Sequence, residues 1–273
     1  MVVRPEDDRY GFFGGALRPD GEGHRTSGHD ARGRRTERDP DRLRTAEVIA
    51  EGVRDAQPGE IPARLCGVAV TLLPVVGASV SLRSDGMSVQ LGASSDQASY
   101  LAELQATLGD GPFLYASEAG APVLACDLTA GRDARRWPVF AQQVTAAGVR
   151  AVYSLPLGND TVTLGTLDLY RATPGGLTEH ELHRALMVAG VMTLALMILP
   201  REEDDSGADE PWLGGLATDH DKVYQAIGMI MAQLGVDADE ATARLRARAF
   251  TQGRTVLEVA RDVVAHRMML EGG

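Results

Sequence analysis

The longest apolar run, Ala185 to Leu199 (ALMVAGVMTLALMIL), holds 15 residues and no charge. A bilayer span needs roughly 18 or more such residues, so the run predicts a buried helix packed against something large. The 273-residue chain has room for one large domain or two small ones. Two cysteines, Cys66 and Cys126, cannot staple a secreted scaffold or complete a four-thiolate zinc site. Met1 to Pro40 carries RPEDDRY and GHDARGRRTERDP in place of a long apolar stretch, so no signal peptide is expected and the chain is assigned to the cytoplasm. A net charge of -11 argues against broad attraction to nucleic acid or an anionic membrane and leaves room for a local basic face.

Charge and composition divide the chain. Residues 1–40 are Gly- and Arg-rich with few aliphatics, which predicts a disordered tail whose mixed charges are simply solvated. Residues 41–199 form a first folded domain, 200–217 an acidic linker (REEDDSGADEP), and 218–270 a C-terminal domain with 7 basic and 7 acidic groups.

Within 41–199, LRTAEVIAEGV and IPARLCGVAVTLLP have helical spacing. ASVSLRS and MSVQLGA alternate about Asp85-Gly86, a hairpin dipeptide. SYLAELQATL reads as a helix stopped by GDGP, PVLACDL as a strand, and WPVFAQQVTAAG as a helix with Pro138 near its first turn. VRAVYSLPLG and VTLGTLDLY close a second hairpin about Asn159-Asp160, and Thr178 to Leu199 returns as a long helix. This order predicts an α+β fold, a mostly antiparallel sheet covered by helices. GASVSL, SYLAELQATLGDGPF, PVLACDL, RRWPVF, AGVRAVYSLPL and LGTLDLY together resemble the GAF domain attached to actinobacterial RNA-binding regulators, over about residues 45–199. The resemblance implies a GAF-like, usually dimeric sensor of a small molecule or redox state. It names no particular ligand, since GAF domains take cyclic nucleotides, tetrapyrroles, iron centres or no identified ligand.

The C-terminal domain is punctuated as three short helices. Thr218 with Asp221 opens the first and Gly235 closes it; Asp237 with Glu240 opens the second and Gly253 closes it; Thr255 with Glu258 opens the third. Val223, Ile227, Ile230 and Leu234 share one side of the first helix, leaving Lys222, Gln225, Gly228 and Ala232 on a polar, small-residue side. Gln225-Ala226-x-Gly228-Met229-x-Met231, Gly235, Glu240-Ala241, Leu245-Arg246-x-x-Ala249 and Val259-Ala260 resemble the ANTAR domain, a bacterial antitermination module. One departure is Ile227, where many members carry Lys. The resemblance implies a three-helix bundle that binds paired hairpins of a nascent transcript, with contacts from Lys222, Gln225, Gly228, Arg244, Arg246, Arg248 and Arg254. Arg244 and Arg248 share a helix face, and a planar guanidinium both pairs with phosphate and stacks on a base.

Set against these are plainer roles. The arginines could be a solvated face paired with Asp239, Glu240, Glu258 or Asp262. Gly228 could serve helix packing. Phe113, Tyr115, Cys126, Trp137 and Tyr153 are candidates for a ligand cavity in the sensor, or core residues. His180 and His183 lack a third ligand in register, so no metal site is expected, and no catalytic motif is present in the chain. The expected function is an RNA-binding antitermination regulator, a homodimer with no membrane partner and with a small-molecule effector at the sensor. The other reading is an adaptor whose C-terminal bundle binds a protein.

Overall fold

The computed structural model describes residues 40–84, 87–159, 161–198 and 220–270. The expected N-terminal tail, the acidic linker, the Thr218 opening and the dipeptide Asp85-Gly86 lie outside these residues.

Five strands form one antiparallel sheet: β1 (Gly77–Ser84), β2 (Met87–Ala93), β3 (Val123–Ala125), β4 (Ala151–Gly158) and β5 (Thr163–Arg171). Their order across the sheet is β2-β1-β5-β4-β3. The period-2 alternation of a strand sends successive side chains to opposite faces. One face is apolar: Ala78, Val80 and Leu82 of β1, Tyr153, Leu155 and Leu157 of β4, and Leu167 and Leu169 of β5 join one core. That core is completed by α1 (Pro40–Gly52), α2 (Ile61–Leu72) and α7 (Glu179–Ile198). Truncating any of its fully buried leucines to Ala would cost about 2–5 kcal/mol. Close packing here is set by Gly92, where a Cβ would come within 2.7 Å of the Ala63 backbone nitrogen in α2.

The apolar run lies in α7, whose Ala185, Val188, Ala189, Met192 and Leu196 are buried at helical intervals. By length and composition alone α7 would fit a membrane span. Here one side packs on the sheet and on α2, while Leu186, Leu194, Met197 and Ile198 remain exposed. Its start is fixed by Thr178, whose hydroxyl accepts from Glu181 N at 3.2 Å while the Glu181 carboxylate accepts from Thr178 N at 2.7 Å. Arg184 ties α7 to α1 through Asp41, with Nε 3.1 Å from Oδ2.

On the opposite face lie α3 (Asp96–Leu108), α4 (Pro112–Ala119), α5 (Gly131–Arg136) and α6 (Pro138–Ala146). Leu101 and Leu104 of α3, Phe140 and Val144 of α6, Trp137, Val152 and Tyr170 make a second core there. Ser95 caps α3 by accepting from Ala98 N, and Gly109 ends it at φ 62, a left-handed conformation that favours glycine. GDGP stops α3 as expected, yet the chain turns directly into α4, which the sequence reading lacked. Pro112 occupies the first helical position, where its missing N–H costs nothing. The six-residue α5 was also missed; it is too short to show a periodic face.

The C-terminal helices are α8 (His220–Leu234), α9 (Ala238–Thr251) and α10 (Val256–Val264). Val223, Ala226, Ile227, Ile230, Leu245, Val259 and Val263 are among the residues of their own apolar core. Asp237 accepts from Glu240 N at 2.9 Å, and Thr255 with Glu258 forms a reciprocal capping box, as their spacing predicts.

Candidate functional site

On α8, Lys222, Gln225 and Gly228 follow one another at three-residue intervals and all are exposed. A Cβ placed on Gly228 would meet nothing within 4 Å among the described residues, so this glycine serves no helix packing among them. It leaves a smooth, open spot on the helix. Ile227, the departure from the family pattern, is buried in the bundle core. The position points inward, so its apolar identity removes no cation from the exposed face.

Four arginines on and after α9 differ in their surroundings. Arg244 pairs with Glu240 one turn earlier, Nη2 to Oε1 at 2.6 Å, in a surface geometry that contributes little to stability. Arg248, one turn on, is exposed and its guanidinium has no partner among the described residues. Arg254 bridges Asp262 at 2.8 Å and the Glu258 carbonyl at 3.0 Å, which staples the turn before α10 to that helix. Asp262 also holds Arg267, and the two arginines keep its carboxyl below the usual carboxylate range. Arg246 is turned the other way, as its spacing implied, and donates from Nε to the Ala106 carbonyl of α3 at 3.2 Å. Burial lowers its pKa, and nearby Arg83 adds repulsion. The structure therefore brings Lys222, Gln225 and Gly228 together on α8 and Arg244 with Arg248 on α9, and it sets Arg246 and Arg254 in structural contacts. Phe250, 52% exposed at the end of α9, was not anticipated. Its displacement from the Ala241, Leu245, Ala249 line was the signal available.

The five aromatic and thiol candidates of the sensor do not converge. Tyr153 lies on the apolar face, and its hydroxyl donates to the Gly175 carbonyl. Trp137 and Tyr115 meet edge to face on the other side, 5.6 Å between ring centroids, under the Arg136 guanidinium. Phe113 is buried on α4. Cys126 follows β3, and its thiol pKa is raised by burial and then by Asp133, which makes it a poor nucleophile at neutral pH. Cys66 is fully buried in α2, and burial holds it protonated.

A polar patch that the sequence reading missed sits in the middle of this second face. Ser79 and Ser81 of β1, Ser154 of β4, and Thr166, Asp168 and Tyr170 of β5 are all buried. Ser79 and Tyr170 share a hydrogen bond of 2.8 Å, and Gln105 of α3 donates to Asp168 Oδ2 at 3.3 Å. Asp168 is 1% exposed, and burial pushes its carboxyl up to about 7 against the opposing pull of Ser154, Thr166 and Gln105. Among the described residues, its Oδ1 and the hydroxyl of Ser154, its cross-strand partner, make no hydrogen bond of ordinary geometry, although Ser154 is close enough to pull on the carboxyl. Buried polar atoms without a well-formed bond are uncommon, which singles out this pair. The clue was an aspartate set between two leucines in LDL, which alternation must send to the face opposite them.

A family model of the GAF domain matches residues 60–196, and one of the ANTAR domain matches residues 217–264. No curated protein matches the chain. Among solved structures, the chain is similar to the GAF domain of a phosphoenolpyruvate-protein phosphotransferase from Coxiella burnetii, at 13% identity over 57% of this chain and 92% of that one, with a TM-score of 0.45. It is likewise similar to the GAF domain of the Acinetobacter phosphoenolpyruvate-protein phosphotransferase (10% identity, 56% and 91% covered, TM-score 0.43). A third is free methionine-R-sulfoxide reductase from Neisseria meningitidis in complex with its substrate (14% identity, 57% and 87% covered, TM-score 0.42). With half of its length matched by that family and a regulatory module following it, the chain belongs to the GAF domain family and carries a C-terminal ANTAR domain.

Proposed function

We propose that this chain is a cytoplasmic transcription antitermination regulator in which a GAF sensor, residues 41–199, controls RNA binding by an ANTAR domain, residues 218–270. The observation that carries the reading is the exposed face of the ANTAR match. Lys222, Gln225 and the open Gly228 lie on α8, and Arg248 on α9 has a guanidinium with no partner among the described residues. A cation for phosphate beside a bare spot that admits a splayed base is what loop recognition in RNA requires. Arg244, one turn from Arg248 on α9, can exchange its exposed Glu240 pair for phosphate. Arg254 and Arg246 have protein partners to exchange first.

The neutral charge of the bundle limits what one copy can hold. Two copies gripping two hairpins gain through effective concentration, so the working unit is a homodimer. The apolar stripe Leu186, Leu194, Met197 and Ile198 on α7 supports a seam between sensors. The polar patch about Asp168 supports a small effector with hydrogen-bonding groups, bound against the second face of the sheet.

Filter binding at moderate salt tests this. RNA with two adjacent hairpins should bind more tightly than either hairpin alone or a scrambled strand, and no preference would overturn the proposal. A protein partner recovered in place of RNA would favour the adaptor reading.

A further inference from the structure

The C-terminal turn of α3 touches three things at once. On its inner side Gln105 donates to Asp168 Oδ2 and accepts from Phe113 N at 3.3 Å. The next residue, Ala106, offers its carbonyl to Arg246 of α9. The residue after that, Thr107, donates its hydroxyl to the Glu103 carbonyl at 2.7 Å and accepts from Val256 N of α10 at 3.0 Å. Gly109 follows, and a Cβ there would lie 3.0 Å from Nη1 of Arg246.

These contacts answer the needs of two helix ends. The last carbonyls of α3 have no acceptor role within their own helix, and a cation is favoured beside them. Val256 is the first residue of α10, so its N–H has no helical partner, and it is buried where water cannot reach it. Each domain satisfies an orphan of the other. Flanking the contact is a crevice of about 320 Å³, lined by Leu108, Val139, Phe140, Ala247 and Phe250 among others, so the surfaces do not close tightly. The join combines these directed polar contacts with limited apolar packing, including Tyr224 of α8 against the sensor core.

We infer that the C-terminal turn of α3 is an intramolecular docking surface for the ANTAR bundle, which holds Arg246 against the sensor and restrains RNA binding until Gln105, in the same turn, is displaced from the other side. An effector that donates to Asp168 Oδ2 takes the place of the Gln105 amide there, and three consecutive residues of one helical turn cannot move independently. The inference rests on the RNA-binding reading given above.

The test uses the full-length chain with Thr107→Val, which keeps the shape but removes the acceptor, and Thr107→Ser, which keeps the acceptor. Residue-resolved amide exchange without RNA reads the docking, and affinity for a two-hairpin RNA reads the consequence. In Thr107→Val, exchange at Val256 should quicken and RNA affinity rise, each by about tenfold, the worth of one buried hydrogen bond. Thr107→Ser should match the parent in both, and sheet amides of β4 and β5 should stay protected in all three. Unchanged Val256 exchange in Thr107→Val overturns the docking role. Faster exchange with unchanged affinity overturns the restraint. If none of the three proteins binds hairpin RNA, the functional reading falls and the restraint with it, while the exchange data still decide whether the turn is the docking surface.

Discussion

Asp168 and Arg248 each have a distinct solution signature. Asp168 has a folded pKa raised from the ordinary 3.8 to about 7. Between those values the unfolded chain has lost the proton and the folded chain keeps it, so stability falls as pH rises from about 4 to 7 and levels above. Replacing it by Asn should remove this slope and stabilise the chain at pH 8 by on the order of 4 kcal/mol at most. Denaturant midpoints of the two proteins across that pH range check it; parallel curves would show that Asp168 is ionised in the fold. Arg248→Ala should weaken RNA binding several-fold and reduce the steepness of its salt dependence by about one, the mark of a single lost phosphate contact. Affinities measured over a salt series decide it. The inward direction of Asp168 was legible from the leucines on either side of it. Arg246 was legible only as an arginine off the Arg244–Arg248 face, because its acceptor lies 140 residues away in sequence.

Among the elements, those whose signals are local and redundant could be read directly. The C-terminal helices announce their starts through Asp237 and Thr255, and α7 through its apolar spacing. The capping box makes a measurable claim: Thr255→Ala should destabilise the bundle by about 1 kcal/mol, seen as an earlier loss of helical signal on heating. The α3–α4 corner was read as a plain stop because Gly and Pro mark turns and helix starts alike, and only the tertiary packing of Phe113 and Ala116 decides between them. Likewise, the expected aromatic pocket failed to assemble because Tyr153 alternates to the face opposite Trp137, a consequence of register that residue type alone does not carry.

For the whole molecule, the proposed dimer puts the exposed stripe of α7 between two sensors. Leu194, 58% exposed, is central to it, and Leu194→Glu should yield a monomer by sedimentation without loss of fold, since the side chain is outside the sensor core. RNA with two hairpins should then bind no better than RNA with one. The division of labour within the sensor has a consequence for how such regulators diversify. One side of the sheet is apolar apart from the Tyr153 hydroxyl; the other carries, beside a second apolar core, a patch of serines, a threonine and an acid. Were that patch to hold the proposed effector, a handful of substitutions among its hydroxyls would change the chemical signal answered while both apolar cores and the output module stayed as they were.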